Sequence, residues 1–221
     1  MTVKSAFTLA EVLITLVIIG VIAAMTIPTL INKTNKQEYV SKLKKAYSTL
    51  AQVTNRIIAE EGKPRADIGG WATDSENIYQ LYKKYLTNAK DCLNGQGCFA
   101  NETYKFLNGN NFGNLDTWNQ ASFRKLILSD GTSLLIDRTN TSCTENWDNQ
   151  SNDCAQFWVD INGAKGPNTA GIDWFSFVLK ENGLYPRGCT NDYCDTNASP
   201  SDGAVGLDCT CKVIRENAMN Y

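Results

Sequence analysis

Between Phe7 and Ile31 the chain carries one charge, Glu11, in 25 residues, and no other feature restricts its fold so strongly. About 20 apolar residues in a row is the length that crosses a bilayer as a helix. The helix is demanded because backbone polar groups in lipid must find their partners within the segment. A secretory signal would show a shorter apolar core followed by a small-residue cleavage site. Here only Met1 to Ala6, with Lys4, precedes the run, and no Ala-x-Ala pattern follows it.

Beyond Pro28 the pattern turns amphipathic. Val40, Leu43, Tyr47, Leu50, Val53 or Thr54, and Ile57 recur at steps of three and four, with Lys42, Lys44, Lys45 and Arg56 between them, which is helical periodicity. Gly62 followed by Pro64 is a helix stop. One helix from Phe7 to Glu61 would be about 80 Å long, more than a small head needs for its own core, so other molecules must cover the excess. The expected organisation is a leader at 1–6, a hydrophobic helix at 7–31, an amphipathic continuation at 32–62 and a globular head at 63–221.

The residues Ala6-Phe7-Thr8-Leu9-Ala10-Glu11-Val12-Leu13-Ile14, with Gly20 and Pro28 in the span behind them, resemble the start of type IV pilins and type II secretion pseudopilins. Ala6 stands where that family usually has Gly, and Ala10 where it usually has a larger aliphatic residue. The resemblance implies cleavage between Ala6 and Phe7 and methylation of the new N-terminus by a membrane peptidase. It further implies a single-pass cytoplasmic (inner) membrane precursor with an extracytoplasmic head. An inner-membrane platform and an ATPase would then assemble it into a homopolymeric or mixed filament, extracellular or periplasmic. Pilus and secretion pseudopilus are not distinguished. A carboxylate within a bilayer costs about 2.5–3.5 kcal/mol on insertion scales. The free amine of Phe7 in a neighbouring subunit is a natural partner for Glu11, whose other role would be to sit at the lipid interface. Gly20 and Pro28 are expected either to loosen the helix for assembly or to act only as a tolerated kink. Five lysines within about 20 residues after the span run against the orientation in which the head is outside; the cysteine-rich head and the resemblance favour that orientation nonetheless.

The chain has no histidine, which removes the commonest general base and zinc ligand. No motif nominates a catalytic pair, and a structural rather than enzymatic role is expected. From Asn32 to Arg65 the net charge is +5, and from Ala66 onward it is −7, an acidic head unsuited to bulk nucleic-acid binding. Eight cysteines, Cys92, Cys98, Cys143, Cys154, Cys189, Cys194, Cys209 and Cys211, point to a disulfide-stapled head in an oxidising compartment. Cys92 with Cys98 and Cys143 with Cys154 are the simplest pairs. Cys209 and Cys211, on opposite faces of an extended segment, would pair with Cys189 and Cys194 in an undetermined order. Zinc is disfavoured by the lack of Cys-x-x-Cys knuckles.

In the head, Asp74 or Ser75 caps a short helix presenting Ile78, Leu81, Tyr82, Tyr85 and Leu86. Strands are expected at Arg124 to Leu128 and Ser133 to Asp137, joined through Asp130-Gly131, then at Gln156 to Ile161 and Trp174 to Leu179. The fold class is α+β, a long N-terminal helix packed on an antiparallel sheet. Asp160, Asn162, Asn168 and Asp173 offer hard oxygens of the kind calcium takes, and some members of the resembled family bind calcium in a head loop. The same residue types build tight turns, and the absence of an EF-hand glutamate favours turns. Trp118, Trp147, Trp158 and Trp174 serve either as core or as the binding face of a minor or tip subunit that contacts DNA, a surface or a secreted substrate.

Overall fold

The computed structural model describes residues 8–86, 90–146, 152–189, 194 and 205–221. Contacts divide the chain into two compact units, Met1–Glu38 and Tyr39–Tyr221. Helix α1, Leu9–Glu61, is continuous through Pro28.

In the first unit every large apolar side chain from Leu9 to Ile31 is exposed. Three of its threonines turn back on their own helix. The hydroxyls of Thr15, Thr26 and Thr34 donate to the carbonyls of Val12, Ile22 and Leu30 at 2.9, 3.0 and 2.9 Å, which removes the donors that would penalise an apolar environment.

The second unit begins with the part of α1 whose periodicity is legible in the sequence. Val40, Leu43, Ala46, Leu50, Val53, Thr54 and Ile57 are buried and Tyr47 is half-buried. The helix stops where Gly62 adopts φ 85° and its N–H donates to the Ile58 carbonyl at 3.0 Å, a conformation cheap only for glycine. Helix α2, Ser75–Tyr85, is capped by Asp74, whose carboxylate accepts the Asn77 N–H at 2.7 Å. Its Ile78, Tyr79 and Tyr82 are buried.

The main sheet is antiparallel, with strand order β1-β4-β5-β6-β7-β8. The strands are β1 Lys90–Leu93, β4 Arg124–Ile127, β5 Ser133–Thr139, β6 Asp153–Asp160, β7 Trp174–Lys180 and β8 Gly183–Pro186; a separate pair is β2 Tyr104–Lys105 with β3 Asn111–Gly113. Four of the sheet strands follow the expected ones with shifted ends. β4 stops at Ile127, because Leu128 N–H and Thr132 carbonyl close the turn at 2.8 Å. β6 starts at Asp153 and stops at Asp160, as Ile161 leaves to bond Asp173.

Alternation sorts the sheet into two faces. Leu126, Leu134, Ile136, Phe157, Val159, Phe175, Phe177 and Leu179 join α1 and α2 in the larger core. Leu135, Trp158 and Trp174 point the other way into a second core with Phe99, Tyr104, Leu115 and Phe123. The head therefore has a third layer, built from β2, β3 and the 3₁₀ turn Leu115–Thr117. Because both faces are covered, all eight residues of β6 are buried.

Four disulfides staple this unit: Cys92–Cys98, Cys143–Cys154, Cys189–Cys211 and Cys194–Cys209. The two local pairs and the crossing of 209 and 211 to 189 and 194 follow expectation. The extended segment expected around Cys209 does not. Both residues lie in the first turn of α3, Cys209–Glu216, where Cys209 and Val213 bury one helical stripe. Helix α3 also extends the sheet edge past the end of β8: Ser176 N–H donates to Thr210 Oγ1 at 3.1 Å, and Cys211 N–H to the Arg187 carbonyl at 3.0 Å.

Candidate functional site

Among the described residues one helix, α1, is long and apolar enough to cross a membrane; its most apolar 18-residue window has a mean hydropathy of 2.5 and is unburied. The expected cleavage site, Ala6 and Phe7, lies outside the described residues, as does Trp147. Gly20 is open on all sides, with nothing within 4 Å of where a Cβ would stand. Pro28 does not interrupt the helix.

Glu11 has a local role besides its place in the apolar run. Its Oε2 accepts both the N–H and the hydroxyl of Thr8 at 2.8 Å, while Thr8 Oγ1 accepts the Glu11 N–H at 3.3 Å. This reciprocal arrangement is a capping box, which satisfies two orphan donors of the helix start. The signal was available: Thr8-x-x-Glu11 directly before an apolar helix is that motif's signature.

Asp160, Asn162, Asn168 and Asp173 are brought together at the turns between β6 and β7, where the Gly166–Pro167 peptide is cis. Asp160 is buried; its Oδ2 accepts the Tyr104 hydroxyl at 2.6 Å and its Oδ1 the Asn162 N–H at 3.1 Å. Asp173 Oδ2 accepts the Asn168 N–H at 2.8 Å and the Asn162 side-chain amide at 3.2 Å, and its Oδ1 accepts the Thr169 N–H at 2.7 Å. Burial pushes the Asp160 carboxyl well above the usual carboxylate range, and the charge of Asp173 adds to the shift. Asp173 is raised as well, chiefly by burial.

This donor set is a poor fit to calcium. Asn162 and Asn168 each keep a buried amide oxygen without a hydrogen-bond partner among the described residues. Those two oxygens and two carboxylates already accepting turn N–H groups fall short of the six to eight free oxygens calcium takes. No three Cys, Asp or Glu side chains converge as a metal site among the described residues. The carboxylates act here as turn braces.

On the outer face a second polar knot holds the 3₁₀ turn. The Asp116 carboxylate accepts the N–H groups of Gly97, Cys98 and Phe99 at 2.8, 3.1 and 3.0 Å. Lys125, fully buried, donates to the carbonyls of Asp116 and Trp118 at 2.7 and 2.8 Å. Burial lowers its pKa, against the opposing pull of Asp116. Of the tryptophans, Trp158 and Trp174 are buried in the outer core, whereas Trp118 is half-exposed at its margin.

The chain matches no family model, no curated protein and no solved structure.

Proposed function

We propose that this chain is a structural subunit, a pilin or pseudopilin, of a type IV pilus-like or type II secretion filament, and not an enzyme. The observation that carries the proposal is the division of labour along α1. The head's core recruits that helix only from Val40 onward, while the apolar stretch from Leu9 to Ile31 is unburied. Each exposed Leu, Ile or Val forgoes roughly 1.5–3 kcal/mol of transfer free energy while it faces water. A bilayer first, and then a bundle of identical helices, would recover it. The inward-turned threonine hydroxyls suit either surrounding.

In this proposal a prepilin peptidase/methyltransferase releases Phe7, and an inner-membrane platform draws the subunit from lipid. The head stays extracytoplasmic, in keeping with four disulfides. Glu11 then exchanges its Thr8 cap for the Phe7 amine of a neighbour, so that each charge is neutralised as it loses water.

Mass spectrometry of the purified product tests processing. The expected chain begins at N-methylated Phe7, and a chain that always retains Met1 overturns it. Glu11→Gln tests pairing separately, because glutamine still completes a capping box but carries no charge. The expected variant has a folded head and does not polymerise. If it forms filaments at the wild-type level, charge pairing is wrong.

A minor or tip subunit whose head binds a surface or a secreted substrate is the second alternative, favoured by the half-exposed Trp118 beside a cavity. DNA is a poor candidate for a head of charge −7.

A further inference from the structure

The four disulfides of the head do not share one environment. Cys143, Cys154, Cys194 and Cys209 belong to the larger apolar core, and Cys98 is buried in the outer core with Cys92 packed against it. Cys189 and Cys211 belong to neither. Cys189 is exposed, whereas Cys92 is half-buried and Cys98, Cys143, Cys154, Cys194 and Cys209 are each at most 3% exposed.

Cys189 also has open space beside it. Together with Asn182, Tyr185 and Pro186 it lines a cavity of about 450 Å³, and its Sγ stands 3.4 Å from the Pro186 carbonyl oxygen. That volume lies within the roughly 300–1,000 Å³ of small-ligand pockets. The rate at which a thiol exchanges with a disulfide depends on access to the attacked sulfur. Cys189 is accessible in the folded head, and the other three bridges are reached only when part of a core opens first.

Opening this bridge does not release the segments it joins. Cys194–Cys209 lies inside it in sequence. Arg187 Nε and Asp208 Oδ1, 2.7 Å apart and largely buried, pair across the same two segments. The Ser176 N–H donates to Thr210 Oγ1 at 3.1 Å and holds α3 to β7. Parting Cys189 from Cys211 is therefore a local event.

The direction of attack follows from the same placement. An exchanging thiolate bonds to one sulfur and expels the other. Cys189 carries the sulfur that can be reached. Cys211 lies in the first turn of α3, 9% exposed, where the start of a helix favours negative charge; its sulfur is the one that leaves.

We propose that Cys189–Cys211 is a site of covalent modification by a small cysteinyl thiol such as glutathione. The thiolate sulfur bonds to Cys189 Sγ and the Cys189–Cys211 S–S bond breaks. Its electron pair leaves on Cys211 Sγ, which takes a proton from water. One disulfide replaces another, so the step consumes no oxidant and no reductant. This inference does not depend on filament assembly.

The test treats the folded full-length chain, in a non-denaturing detergent, with excess reduced glutathione. Aliquots are quenched with N-ethylmaleimide and their peptides mapped by mass spectrometry. The first product is expected to carry glutathione on Cys189 and maleimide on Cys211, with Cys92–Cys98, Cys143–Cys154 and Cys194–Cys209 still closed. Those three bridges are expected to open at least about tenfold more slowly, equivalent to about 1.4 kcal/mol of barrier. The near-UV circular dichroism of the first product should match that of the untreated chain. The proposal is overturned if the first adduct sits on Cys211 or on any other cysteine, if the four bridges open together, or if no adduct forms on the folded head. Each of these results leaves the filament proposal untouched, because the reaction is run on dispersed protein.

Discussion

Tyr47 of α1 lies flat against Phe177 of β7, ring centroids 5.5 Å apart and planes 2° from parallel, and its hydroxyl reaches toward the Leu184 carbonyl at 3.5 Å. The pair ties the amphipathic half of the helix to the β7–β8 end of the sheet. An aromatic pair contributes about 0.5–1.5 kcal/mol beyond its buried area. Tyr47→Ala is therefore expected to destabilise the head by about 2–3 kcal/mol, and Tyr47→Phe by under about 1 kcal/mol because the hydroxyl contact is long. Leu43→Ala and Leu50→Ala, both fully buried, are expected to cost about 2–5 kcal/mol. Urea unfolding of the full chain in detergent, followed by near-UV circular dichroism, measures all four. A neutral Tyr47→Ala would mean that the helix is not held by this stack.

The C-terminal disulfides are nested, and their contributions are expected not to add. Cys194 stands five residues from Cys189, and Cys209 two from Cys211, so once one bridge has closed, the other closes a ring of only a few residues. In the chain-entropy picture a closed loop of 22 residues stabilises by about 1 kcal/mol more than one of six. Replacing Cys189 and Cys211 by serine should therefore cost about as much as replacing Cys92 and Cys98. Removing both nested bridges should cost about 1 kcal/mol more than the sum of the single removals. Thermal unfolding of four variants, lacking Cys189–Cys211, Cys194–Cys209, both of these, or Cys92–Cys98, measures this, and strict additivity of the nested pair would contradict it.

Lys125 is a polar residue held in place by backbone alone. Its ammonium donates to the carbonyls of Asp116 and Trp118, and no carboxylate bonds it directly among the described residues. Lys125→Met preserves most of the side-chain volume but strands those carbonyls, and each buried polar group left unpaired costs about 1–3 kcal/mol. The expected loss is about 2–4 kcal/mol, with loosening of the Trp118 segment read as faster amide exchange at residues 116–123. Unchanged exchange there would show that aromatic packing alone fixes the segment.

Legibility in the sequence followed how many sides of each element are buried. The neck of α1 packs on one side only, so its three-and-four spacing from Val40 to Ile57 is plain. Strand β6 is covered on both faces, which erases the period of two; Gln156 and Asp160 then look like surface residues although both are buried. The third layer escaped notice for the same reason, since Asp116 and Lys125 are read as solvated charges when only the sequence is known. Glu11 stands out in the sequence as a charge in an apolar run, and that hides the quieter signal of the capping box it forms with Thr8. Cys209-x-Cys211 separates its side chains in a helix as well as in a strand, so the pairing was legible although the element was not. Asp160, Asn162, Asn168 and Asp173 do meet, since their turn chemistry fixes where the chain reverses.

Asp160 gives the head a pH dependence opposite to that of most carboxylates. Its folded pKa lies well above the ordinary 3.8, chiefly through burial and then through the charge of Asp173. Between those two values the folded chain keeps a proton that the unfolded chain has released, so the contribution of this group to stability is full below the ordinary value. It is lost as the pH rises through the folded value. Exposed Glu60, held down to about 2 by the Tyr85 hydroxyl and then by Arg56, acts the other way, with its contribution lost as the pH falls. Asp160→Asn keeps an oxygen for the Tyr104 hydroxyl but carries no titrating proton. Relative to the wild type, the variant is therefore expected to gain about 1.4 kcal/mol per pH unit across the window above 3.8. The gain should level off once the wild-type carboxyl has ionised. Urea midpoints of the two proteins, measured in parallel from acid to mildly alkaline pH, give the difference directly. A difference that stays constant with pH would place the Asp160 carboxyl at its ordinary pKa and refute the upward shift that burial gives it.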